Sequence, residues 1–304
     1  MYAENSDWVK WRLAMKRWQR DYGLSTRMFL TMFMLVVVYI AFIGVLSYLG
    51  LPLITILLFA GVMLFAQYYF SDKMVLYSTG ARVVTESEEP GLHEIVSRLC
   101  IEADLPKPRV AVVNSSIPNA FATGRSPKKA VVAVTTALMQ KLDRNEVSAV
   151  LAHELTHVKN RDVMVLTIAS FFSTIAFFLV RYLIFFAGGR RGGGQIMLAW
   201  VASIAVWLVS YLLIRALSRY REFAADRGAA IITGHPSHLV SALMKISGSM
   251  DRVPTEDLRK AEGMNAFYII PISKSSIMAL FSTHPPLKKR IAALEKISRE
   301  MELA

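Results

Sequence analysis

The sequence predicts a mostly α-helical integral membrane protein, with four candidate transmembrane helices and a cytoplasmic α+β domain built around a small sheet. Three observations lead there. Of the 304 residues 54% are hydrophobic and 19% charged, and the mean hydropathy is +0.40, a balance too apolar and too charge-poor for an ordinary soluble domain. No charged side chain lies between Arg27 and Asp72, which leaves room for two spans of about 20 residues each. A second apolar pair, residues 163–180 and 192–214, follows a more polar segment with the strand and helix patterns of a folded domain.

Residues 1–27 form a basic, aromatic N-terminal segment. Lys10, Arg12, Lys16, Arg17, Arg20 and Arg27 crowd it, with Trp8, Trp11 and Trp18 interleaved. Basic residues flanking a span face the cytoplasm, and tryptophan prefers the headgroup interface. The net charge of +12 therefore points to a lipid bilayer and not to nucleic acid, for which no recognisable motif is present. This places the N-terminus in the cytoplasm of a multi-pass protein of the cell membrane. Residues 28–71 make the first hairpin, spans one and two, with Gly50-Leu51-Pro52 at its turn. A first span that runs straight into a second is no cleaved signal peptide.

An even number of crossings puts residues 72–162 back in the cytoplasm. "PGLHEIVSRLCIEADLP" has helical spacing after a Pro-Gly start, "PRVAVVN" and "KAVVAVTTAL" are short β-branched runs, and "GRSPKK" between them is turn chemistry. Cys100 is the sole cysteine, so no intrachain disulfide is possible, and it reads as a small buried apolar residue. His93, His235 and His238 read as surface or cap residues.

The next helix should run over 143–160. Asp143 is a good N-cap, Glu146 stands three residues on as its capping-box partner, and Leu142 with Val147 fits a hydrophobic staple. Within it "LAHELTHVKN" carries His153, Glu154 and His157 at H-E-x-x-H spacing. The two histidines are then one turn apart on one face, the geometry a metal needs from two imidazoles.

Residues 163–214 are the second hairpin, spans three and four, joined by the connector "GGRRGGGQ". Arg181, late in span three, is expected to snorkel to the interface. Arg190 and Arg191 in the connector argue mildly against an external loop, so a shallow or re-entrant hairpin is the alternative. In residues 215–304, "SRYREFAADRGAAIITG" reads as a helix ended by Gly234, "HPSHLVSALMKIS" follows, and "PPLKKRIAALEKISREMEL" is a last helix with proline in its first turn.

A catalytic zinc takes three protein ligands and keeps a fourth position for water. The third ligand should be His, Asp or Glu on the same side of the membrane. Glu222 qualifies, two crossings from His157, and Asp226 one turn further can hydrogen-bond a ligand histidine's free N–H. Glu154, adjacent to a ligand but unable to share its face easily, can sit over the open position.

Together these residues resemble a known family. His153-Glu154-x-x-His157 followed by Glu222-x-x-x-Asp226 is the gluzincin pattern, and "SRYREFAADRGA", "NAFATG" and "STHPPLKKRIAAL" are similar to the HtpX-type membrane zinc metalloproteases, whose family includes the CAAX prenyl-protein endoproteases. The resemblance follows the whole chain in order and makes the cytoplasmic domain a gluzincin-like zinc protease. It implies one zinc per chain held by His153, His157 and Glu222, and Glu154 as the general base on a zinc-activated water. "NAFATG" resembles the family's active-site edge strand, so Asn119, Ala120, Phe121, Ala122 and Thr123 are expected to pair with an extended substrate; a surface loop is the plainer reading. His284 could donate to the tetrahedral oxyanion or merely cap before Pro285. Arg290 could act electrostatically or be a solvated charge.

The implied activity is a zinc metalloendopeptidase acting on misfolded or damaged membrane polypeptides, with its site facing the cytoplasm. One alternative is a CAAX-type prenyl-protein endopeptidase, although four spans are few to enclose a large intramembrane chamber. Another is a non-catalytic membrane chaperone or scaffold with a structural zinc, against which stands the lack of a fourth protein ligand near the motif.

Overall fold

In a computed structural model the structure describes residues 21–50, 53–186, 193–250 and 284–303. Trp8, Trp11, Trp18, most of the N-terminal basic cluster, Pro52, Arg190 and Arg191 lie outside the described residues.

Helix α1 (Tyr22–Tyr48) starts at Asp21, whose carboxylate accepts the Leu24 N–H at 2.9 Å, and it ends before Gly50 at φ 66°. Helix α2 (Leu53–Thr79) returns. Among the described residues three helices are by length and composition able to cross a membrane, over Tyr22–Tyr48, Asp162–Arg181 and Ile196–Thr233; the apolar part of α2, Ile56–Phe70, is shorter. Arg181 is exposed.

Between the two apolar hairpins lies a four-stranded mixed sheet. Its strands are β1 (Arg82–Val83), β2 (Arg109–Val113), β3 (Ala120–Thr123) and β4 (Val131–Thr135), in the order β1-β2-β4-β3. β2 and β4 run parallel and β3 pairs antiparallel with β4, Ala120 opposite Val134 and Thr123 opposite Val131. The β3–β4 turn pivots on Gly124 at φ 121°, where an added Cβ would stand 2.6 Å from the Lys129 carbonyl oxygen, so a side chain is excluded there on both counts. α2 is fastened to this turn: the Tyr68 hydroxyl donates to the Arg125 carbonyl, and Arg125 donates back to the Tyr69 carbonyl at 2.9 Å while stacking 4.0 Å over its ring.

Helix α3 (Pro90–Ala103) packs beneath the sheet, and α4 (Thr136–Lys141) leads into α5 (Arg144–Lys159). His93 is buried in α3 with Nε2 3.0 Å from the Val84 carbonyl, which corrects the expectation of a surface residue. The β1–α3 link folds back over the helix start, and the ring's polar edge satisfies the carbonyl of the residue that follows β1. Burial pushes the Cys100 thiol up to about 11, consistent with an inert core residue.

α5 begins as expected. Asp143 accepts the Asn145 and Glu146 N–H groups, and Glu146 accepts the Asp143 N–H, a complete capping box. Glu146, buried, also binds Ser241 at 2.6 Å and Lys245 at 2.5 Å on α8 (Pro236–Met250), so the same side chain ties the helix start to its neighbour.

Helix α6 is Asp162–Phe186, and α7 runs unbroken from Gly193 to Thr233, 41 residues or about 61 Å. The fourth span and the helix of "SRYREFAADRGA", read separately from sequence, are thus one rod, because Arg215, Ala216 and Leu217 between them are all good helix formers. Gly234 at φ 72° ends it. α9 (Leu287–Glu302) closes the described chain, with Pro286 at its N-cap rather than inside the first turn. The apolar core of the domain joins α3, the sheet, α5, the end of α7, α8 and α9, and includes Val96, Val132, Leu151, Leu155, Leu243 and Leu294.

Candidate active site

Two helices supply the cluster, and their crossing is set by a missing side chain. Gly228 of α7 lies against Thr156 of α5, and a Cβ built on it would come within 2.3 Å of the threonine methyl. This contact lets α7 approach the motif helix closely enough for Glu222 to meet His153 and His157.

The three polar groups face one point. His153 Nε2 and His157 Nε2 are 3.2 Å apart. Glu222 turns Oε1 to His157 at 3.4 Å and Oε2 to His153 at 3.5 Å. Ligand atoms arranged tetrahedrally at about 2.0–2.1 Å from one ion are spaced about 3.3–3.4 Å from each other, so the observed distances fit a shared cation.

The back of each ring argues for the same thing. His153 Nδ1 stands 3.0 Å from Asp226 Oδ1, and His157 Nδ1 2.6 Å from Asp162 Oδ2. With the ring proton on Nδ1, the nitrogen that faces these carboxylates, Nε2 of each ring presents a lone pair to the cluster. Two lone pairs and a carboxylate facing one another repel unless a cation lies between them, so the donor set suits a metal such as zinc. No sequence pattern marks Asp162, which follows His157 by five residues.

Each of these carboxylates is held in turn by an arginine. Arg290, 1% exposed, grips Asp226 with two bonds, Nε to Oδ2 at 2.9 Å and Nη2 to Oδ1 at 2.6 Å, and its Nη1 lies 3.5 Å from Glu222 Oε2. It is no solvated charge. Arg221 donates to Asp162 and, at 2.8 Å, to the Asn160 carbonyl. The cluster therefore rests on two parallel rows, His153–Asp226–Arg290 and His157–Asp162–Arg221.

Glu154 lies beside the cluster, buried, with Oε2 accepting the Ala122 N–H at 2.9 Å. Burial pushes its carboxyl above the ordinary carboxylate range, against the pull of His153 and His157. The bond identifies the geometry of β3. Asn119, just before the strand, gives its carbonyl to Thr135 N–H, so Ala120 and Ala122 in the alternating ladder turn their backbone groups away from β4. β3 is an edge strand, and its open edge faces the cluster.

His284 is buried, with Nδ1 3.0 Å from Glu222 Oε2, and it lines the cleft that contains the cluster. That cleft, of about 540 Å³, is walled by Phe121, Ala122 and Thr123 on one side and continues between α6 and α7. The structure thus brings together His153, Glu154, His157, Glu222, Asp226, His284, Arg290 and the β3 residues.

The chain matches the sequence profile of Peptidase family M48 over residues 86–298. It is 64% identical over 291 residues to "Protease HtpX homolog 2" of Methanosarcina acetivorans, covering 94% of this chain and 99% of that protein. It is 59% identical over 290 residues to "Protease HtpX homolog" of Moorella thermoacetica, covering 93% and 97%. Among solved structures, the crystal structure of S. mikatae Ste24p shares the fold with a TM-score of 0.56 at 17% identity, over 85% of this chain; the match spans 62% of that longer chain.

Proposed function

The chain belongs to peptidase family M48 as an HtpX-type metalloprotease, and from that premise we propose a membrane-embedded zinc endopeptidase that clears misfolded or damaged membrane proteins. In this reading all four apolar helices span the cell membrane and the site faces the cytoplasm. What carries it is the spacing of 3.2–3.5 Å among His153 Nε2, His157 Nε2 and the Glu222 carboxylate.

His153, His157 and Glu222 would hold zinc, which when bound supplies Lewis acidity toward a peptide carbonyl. The chain's own groups do the rest. Ala122 N–H fixes Glu154 Oε2, leaving Oε1 to take the proton from the attacking water and hand it to the leaving amine. The outward edge of β3 pairs with an extended substrate and sets the scissile bond over Glu154. His284 offers a hydrogen bond where negative charge develops on the carbonyl oxygen. Asp226 and Asp162 keep both rings in the ligating tautomer, and Arg290 keeps Asp226 ionised and in place.

Purified protein is expected to hold about one zinc per chain by elemental analysis. Glu154→Gln should keep that zinc and lose at least about a hundredfold in casein hydrolysis. Full proteolysis by the variant, or a wild type that takes up no metal, would overturn the reading. The cleft's continuation between apolar helices favours a second reading, a CAAX-type prenyl-protein endopeptidase. Cleavage of a farnesylated peptide in strong preference to its unmodified twin would select it.

A further inference from the structure

Beyond the metal cluster the cleft runs between α6 and α7 toward the apolar end of the molecule. Thr167 and Ser170 line it from α6, but their hydroxyls donate to carbonyls of their own helix, at 2.7 and 3.1 Å. Two arginines line it from α7, Arg221 and Arg215. Arg221 is neutralised by Asp162. Arg215 meets no carboxylate among the described residues; its guanidinium donates to the Tyr211 hydroxyl at 3.0 Å and lies 4.7 Å over the Tyr211 ring.

The direction of that side chain matters. An arginine at the end of a span ordinarily carries its charge outward to the headgroups. Tyr211 lies one turn nearer the apolar end of α7, so it holds the Arg215 guanidinium inward along the cleft, the way a helical Cα–Cβ bond already tilts. Among the described residues this half-buried cation has only an aromatic partner, which compensates it poorly, and it lines the cleft that a substrate would fill.

Seven residues separate Arg215 from Glu222, two turns on one face and about 10 Å of helix. An extended peptide covers that distance in about three residues, and in about five if it must reach the guanidinium beside Tyr211. Resting on the endopeptidase reading, we propose that Arg215, braced by Tyr211, is a specificity-determining residue that binds a carboxylate of the polypeptide substrate about three to five residues from the scissile bond. The carboxylate belongs to an acidic side chain or to a free C-terminus, which share this chemistry.

The test uses full-length enzyme in zwitterionic lipid vesicles and a peptide series with one scissile bond. Asp or Asn is placed in turn at each position two to six residues away, and the C-terminus is free or amidated. The wild type should favour Asp over Asn at one of these positions by about tenfold or more in kcat/KM, chiefly through KM. A preference that moves with the free terminus instead identifies the α-carboxylate as the bound group. In Arg215→Gln the Asp-to-Asn ratio should fall to near one, in Arg215→Lys most of it should survive, and in Arg215→Glu a Lys-bearing peptide should overtake the Asp-bearing one.

An unchanged ratio in Arg215→Gln overturns the proposal. So does a preference that appears only when anionic lipid is added, which would make the bound group a headgroup. Should no peptide in the series be cut faster by wild type than by Glu154→Gln, the endopeptidase reading fails, and the proposal with it; loss of the ratio effect alone leaves that reading standing.

Discussion

Asp162 shows what a single residue contributes and why one sequence cannot announce it. Its Oδ2 stands 2.6 Å from His157 Nδ1, the role Asp226 plays for His153. Replacing it with Asn should weaken zinc binding by about 10- to 100-fold, read by competition with a chromogenic chelator, and Asp226→Asn should act alike. Unchanged affinity in Asp162→Asn would show that the ring needs no carboxylate behind it. Asp226 was legible because it follows Glu222 by four residues on an unbroken helix. Asp162 follows His157 by five, which on a continuing helix points about 140° away. It comes back only because Arg161 takes φ 54° between α5 and α6, a turn no periodicity foretells. Arg290 was undecidable for another reason: its partner Asp226 lies 64 residues away, and nothing near Arg290 in sequence separates a buried clamp from a solvated charge.

Among the elements, α5 was the most legible, because its capping box, its staple pair and its motif all agree within one short stretch. α7 was legible in both halves but not as a whole, since a span and a ligand helix without a breaker between them look the same joined or apart. The crossing of these two helices rests on Gly228 and Thr156. Gly228→Ala should cost about 1–3 kcal/mol in a thermal or denaturant assay of the detergent-solubilised protein, with zinc affinity falling as α7 is pushed from α5. Because the clash is with the threonine side chain, adding Thr156→Ala should recover much of the loss, and a double variant no better than Gly228→Ala would refute the packing account. The glycine was visible in the sequence; the threonine opposite it was not, because helix pairing is a tertiary fact.

For the molecule as a whole, the sequence's strongest argument was parity: two crossings return the chain to the side it left, so His157 and Glu222 can share a site. Which side that is rests on the basic N-terminal segment, with Arg190 and Arg191 in the connector counting mildly against a full crossing. Cys100 is the only cysteine in the chain and is buried, so Cys100→Ala with Lys128→Cys, on an exposed turn beside β4, gives one reporter thiol. A membrane-impermeant maleimide should label it in inside-out vesicles and not in right-side-out ones, and the opposite pattern would place the site outside the cell. The course of α7 bears on this scale too. α6 opens on Asp162 and α7 delivers Glu222 without a joint, so both arms of the second hairpin are also walls of the site. The lipid anchor is consequently no tether on which an independent enzyme hangs. In the proposed enzyme, bilayer thickness and lateral pressure bear on the same rod that carries Glu222, and a water-soluble fragment made by excising the hairpin would discard the frame that gathers His153, His157 and Glu222.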